Sequence, residues 1–86
     1  MKIDNNDRSA LWTDSVLMAR IETFGYQMAE MGRQQAFETT ARNSGDYDGA
    51  AYYAKNAELY RESAKVLMTD INAQITLRRT DTLVSA

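Results

Sequence analysis

The chain has 86 residues, 44% hydrophobic and 26% charged, with a formal net charge of −2 and neither cysteine nor histidine. That composition excludes a disulfide-stapled or thiolate-metal fold. It also disfavours a phosphate-backbone binder, because ten Lys and Arg lie scattered among twelve Asp and Glu instead of forming a basic stripe.

A single domain of this length buries only about 60–65% of its unfolded surface, so its stability has to come from packing, within the chain or against other chains. The opening residues MKIDNNDR lack the apolar run of a secretory leader. No stretch approaches the ~20 apolar residues of a bilayer-spanning helix. A soluble, cytoplasmic protein with no membrane contact is expected.

From about residue 7 to 43 the chain is rich in helix-forming residues, and it contains no proline anywhere, which predicts a first long helix. Leu17, Ile21, Phe24, Met28 and Met31 recur at helical spacing around Gly25 and Gly32 and are expected to face a second helix. Interior glycine costs a helix roughly 1 kcal/mol relative to Ala. Close approach of that second helix is the simplest reason for two of them, with a kink at Gly25 as the alternative.

The only central cluster of turn residues is NSGDYDG, at positions 43–49. Gly45 is expected to end the first helix in the left-handed conformation, with Arg42 near the negative end of the helix dipole. Asp46 then caps a second helix, and Asp48 sits favourably in its first turn. A calcium loop is rejected on spacing, because the closing bidentate acid would fall at position 55, which is Lys55.

The second helix is expected over about 46–79, followed by a polar, flexible tail at 80–86. Ala50, Tyr53, Ala57, Tyr60, Ala64, Leu67 and Ile71 alternate steps of three and four, a heptad seam flanked by Met68 and Ile75. Two helices of similar length around a short turn predict a single all-α domain over 1–86, an antiparallel two-helix hairpin. Its register places Gly32 near Ala57 and Tyr60, and Gly25 near Ala64 and Leu67.

The stretch GDYDGAAYYAKNAEL resembles the second helix of a tetratricopeptide repeat in Gly45, Asp46, Tyr47, Ala50 and Ala57. The preceding helix has Gln34, Phe37, Glu38 and Ala41 where that family places Trp, Leu, Gly and Tyr, so the likeness is read as shared hairpin chemistry. The stretch from Lys65 to Ile75, KVLMTDINAQI, resembles the tail of type III secretion needle subunits, small helical hairpins that polymerise. The proline-containing turn of those subunits is absent here.

Both helices carry a second apolar stripe. Tyr52, Leu59, Val66 and Ala73 lie nearly opposite the inner seam of the second helix, and Trp12, Val16, Ala19, Thr23 and Tyr26 do the same in the first. A two-helix monomer needs one stripe per helix, so these outer residues are expected to be buried against another chain, identical or foreign.

No nucleophile elbow, phosphate loop or metal-ligand motif appears, and catalytic, metal and cofactor sites are expected to be absent. Asp14 falls on the inner stripe, either as a buried acid or as a partner of Arg78 and Arg79 at the open end. Tyr53 and Tyr60 are read as core.

The expected function is that of a non-enzymatic interaction module. It would self-associate, most simply as a four-helix bundle or a larger helical oligomer, and bind a partner protein in the manner of an adaptor, an inhibitor or a phage-encoded host-interfering protein. An alternative is a small-ligand, nucleotide-like binder using Arg42, Tyr47, Tyr52 and Lys55 through stacking and cationic contacts. A further alternative is a structural subunit of a helical assembly.

Overall fold

The computed structural model describes residues 11–85, with side chains described for residues 11–80. It is an all-α, antiparallel two-helix hairpin: α1 spans Asp14–Asn43 and α2 spans Tyr47–Ser85. At 1.5 Å per residue, α2 is about 58 Å long, which matches the 60 Å long axis of the molecule.

The turn forms as its residues dictate. Gly45 sits at φ +84°, in the left-handed region. Its N–H donates to the Arg42 carbonyl at 3.1 Å, and the Asp46 N–H donates to the Ala41 carbonyl at 2.8 Å. These two bonds are the paired closure of a helix C-terminus on glycine. Asp46 accepts the Gly49 N–H on Oδ1 at 2.9 Å and so caps α2. A Cβ on Gly49 would collide with that same carboxylate, which makes glycine the compatible residue at this position of the first turn.

Both outer boundaries differ from the sequence expectation. Helix α1 begins at Asp14 rather than near residue 7; residues 7–10 lie outside the described set. Thr13 is the N-cap, its Oγ1 accepting the Val16 N–H at 3.3 Å. The polar groups of Trp12 are committed to α2: its N–H donates to Gln74 Oε1 at 2.8 Å, and its carbonyl accepts from Arg78 at 2.9 Å. The chain there is held across the hairpin, where a helix would need those groups for its own ladder. At the other end α2 continues through residues 80–85, where the sequence predicts a flexible tail; Ala86 lies outside the described set. The segment TDTLVS holds no Gly or Pro to stop a helix.

The seam of α2 is the expected one. Ala50, Ala57, Ala64, Leu67 and Ile71 are buried, and Tyr53 and Tyr60 are half-buried between them. The α1 side differs in part. Leu17, Phe24, Gln27, Met31, Gln34 and Glu38 are half-buried and Ala41 is buried, while Ile21 and Met28 are exposed. Gly25 and Gly32 do not point at α2: no atom of α2 lies within 4 Å of where a Cβ would stand on either. The close-approach reading is therefore corrected. The heptad of α1 runs one helical position away from the glycines, through Phe24, Gln27 and Met31. Gly25 lies inside an uninterrupted α1 and ends no helix.

Candidate interaction surfaces

Cross-helix contacts confirm the register of the hairpin. Phe37 and Tyr53 pack with ring centroids 5.3 Å apart, Asn56 Nδ2 donates to Gln34 Oε1 at 3.3 Å, and Arg78 pairs with Asp14 at 2.8 Å. Asp14 is almost fully exposed, so the acid at the open end of the hairpin is an ion-pair partner and not a buried charge. Around it a clasp closes that end, made of Trp12, Gln74 and Arg78. Gln74 is 1% exposed and continues the α2 seam three residues beyond Ile71. Simple continuation of the heptad reaches it, but a polar residue does not register in an apolar periodicity.

The hairpin presents two long sides with different chemistry. On one, Gln34 and Asn56 join Tyr52, Leu59, Tyr60 and Ser63 around a shallow groove. Tyr26 reaches Tyr60 from α1. Burial, then the neighbouring Tyr26 and Glu30, push the Tyr60 phenol above its ordinary value, and a hydrogen bond with Tyr26 adds to the effect. Tyr52 stands edge-on to Tyr53 with centroids 5.3 Å apart. This is the tyrosine side. Tyr26, Tyr52, Leu59 and Val66 are 60, 62, 59 and 61% exposed.

The outer-stripe residues of the two helices thus meet along one side, instead of lying on opposite outer surfaces. Val16, Ala19, Thr23 and Ala73 are also exposed, and the Thr23 hydroxyl donates to the Ala19 carbonyl. Trp12 is the exception. It precedes α1, is half-buried against Asp70, Ala73 and Gln74, and carries the Arg20 guanidinium 5.4 Å from its ring centroid. Its indole belongs to the clasp.

The opposite side is apolar and rich in methionine. Phe24, Met28, Met31, Ala64 and Met68 line a groove there, with Arg61 and Lys65 at its rim.

The four residues of the ligand alternative are all exposed, and Tyr52 and Lys55 stand one turn apart on α2. Arg42 donates to Glu38 at 2.7 Å, Tyr52 leans on Tyr53, and Tyr47 stands 69% exposed, about 140° around the helix from Tyr52. Lys55 is exposed. Among the described residues no group of three or more carboxylates is placed to hold a metal ion, and no helix is long and apolar enough to cross a membrane.

The fold and its surfaces define a class, a helical hairpin with two exposed long sides, one bearing tyrosines and one apolar. The chain matches no protein-family model, no curated protein and no solved structure.

Proposed function

We propose that the chain is a non-enzymatic protein-interaction module that self-associates and receives another protein on its tyrosine side. One observation carries this reading. Among the described residues the buried apolar set is four alanines, one leucine and one isoleucine, while Tyr26, Tyr52, Leu59 and Val66 stand open to solvent along one side. Full burial of side chains this large contributes roughly 1.5–3 kcal/mol each, and a seam dominated by alanine leaves that contribution unused. Exposed tyrosine clustered with apolar residues is the composition of an interface hot spot. Here Tyr26, Tyr52, Leu59 and Val66 flank a polar floor in which Gln34 and Asn56 bond to each other across the hairpin.

The test is comparative capture from an extract of the source cells, with the native chain and Val16→Glu with Val66→Glu as baits. Both valines are exposed, so the hairpin's own seam is spared. Proteins held by the native chain and released at least tenfold by the double variant, a loss of about 1.4 kcal/mol or more, support the reading. Equal retention by both baits, with helicity unchanged, removes the tyrosine side as the working surface.

A further inference from the structure

We infer that the methionine side is the contact with a second copy of the chain, packed face to face and antiparallel about a two-fold axis between the levels of Arg61 and Glu62. This rests on the self-associating part of the proposed function and is independent of any foreign partner. Charge identifies the occupant. Along α2 the residues Glu58, Arg61, Glu62 and Lys65 alternate acid and base. A two-fold between positions 61 and 62 sets Glu58 against Lys65 of the second copy and Arg61 against Glu62 of the second copy, each pair occurring twice. A parallel arrangement would set every one of these charges against its like, which is unfavourable. Arg61 and Lys65 also line the apolar groove, so the complementary charges stand at the edge of the strip to be covered.

The other helix returns the same axis. Gln34 lies across from Asn56 and Phe37 from Tyr53, so the level between 61 and 62 on α2 corresponds to that between 28 and 29 on α1. A two-fold there brings Gly25 opposite Gly32 of the second copy. Nothing in the chain itself comes within 4 Å of a Cβ built on either glycine. The hairpin alone therefore has no steric use for them, whereas a second α1 crossing at this level does.

The surface available is sufficient. The chain exposes 6220 Å², against roughly 5,100 Å² for a compact protein of its mass. The excess, on the order of 1,100 Å², belongs to the whole elongated chain, both long sides included, and exceeds the ~800 Å² that each partner buries in a standard interface.

Because the chain has no cysteine, single introduced thiols report the geometry directly. Full-length Gly25→Cys and Gly32→Cys chains would be oxidised separately and as an equimolar mixture. The antiparallel contact requires the mixture to cross-link about tenfold faster than either chain alone, since only unlike positions meet. Equal rates, or faster self-cross-linking, overturn it.

A second set of variants tests the charges without touching the glycines. Arg61→Glu with Lys65→Glu makes the α2 stretch wholly acidic, and Glu58→Lys with Glu62→Lys makes it wholly basic. Size-exclusion chromatography with light scattering should show a dimer for the native chain, monomer or unfolded chain for each variant alone, and a helical dimer again on mixing them. A native chain that stays monomeric up to about 1 mM, or a mixture that fails to re-form the dimer, overturns the inference. Val16→Glu with Val66→Glu, on the other side, should remain dimeric in this assay, so loss of a foreign partner and loss of the dimer are separate readouts.

Discussion

Gly45, the one described residue with positive φ, and Asp46 are each fixed by local chemistry: the first by the backbone conformation that closes α1, the second by the carboxylate that caps α2. Both were legible because a turn is specified by a few adjacent residues. Gly45→Val should destabilise the chain by more than about 1 kcal/mol in urea unfolding, through strain at a position where a β-branched residue does not fit. Calcium should leave that midpoint unmoved. Gly25 and Gly32 were less legible. A glycine in a helix announces that something comes near, but not from which side; in the inferred dimer the neighbour is a second copy of the chain.

Tyr60 offers a pH test at the same scale. Its folded-state value is raised above 10.0, so the folded chain holds the phenolic proton more tightly than the unfolded one. The corresponding stability is fully present below pH 10 and is lost as pH rises through the raised value. Melting temperature measured between pH 9 and about 11 should fall less steeply for Tyr60→Phe than for the native chain. Parallel slopes would show that Tyr60 titrates alike in both states.

At the scale of the element, the seam of α2 could be read from sequence because alanine every seventh residue marks one face without ambiguity. The face of α1 could not be read as cleanly. Its apolar residues occupy more than one side, and the half-buried set includes Gln27, Gln34 and Glu38, which hydrophobic periodicity passes over. Two of the seam's glutamines make a contrasting pair of predictions. Gln74 accepts the Trp12 N–H, and Gln74→Leu should cost about 1–3 kcal/mol by stranding that donor in the clasp. The Gln27 Oε1 is buried without a hydrogen-bond partner among the described residues, and Gln27→Leu should stabilise by about 1 kcal/mol by removing an unsatisfied acceptor. Denaturation midpoints of the two variants should move in opposite directions. A shift of the same sign in both would mean that polarity along the seam is not what separates them. The start of α1 escaped prediction for a related reason. Residues 11–13 have no local helix breaker; their backbone is drawn to α2 by Gln74 and Arg78, more than 60 positions away in sequence.

As a whole molecule the hairpin measures 60 × 26 × 17 Å with a radius of gyration of 18.2 Å, where a compact chain of this length would have about 12 Å. It is one layer thick, and most of its large apolar side chains have no second layer to enter. Hence the expectation that folding and assembly share one equilibrium: the melting temperature of the native chain should rise with protein concentration, by several degrees per tenfold step. A concentration-independent transition would mean that the isolated hairpin is sufficient by itself. The two-sided pattern that points to assembly was legible in the sequence. That the two outer stripes converge on a single side was not, because it depends on the relative rotation of the helices.

The clasp at the open end has a consequence for the order of events in folding. The turn joins residues only a few positions apart, whereas Trp12 to Gln74 and Asp14 to Arg78 close loops of 62 and 64 positions, and loop-closure entropy grows with that separation. The hairpin should therefore zip from Gly45 outward and latch last at Trp12, and it should open in the reverse order. Amide hydrogen exchange in the native state should be fastest at Trp12 and α2 residues near Gln74, and slowest around Ala50 and Ala57, where the chain has the shortest loop to close and the earliest chance to remake it.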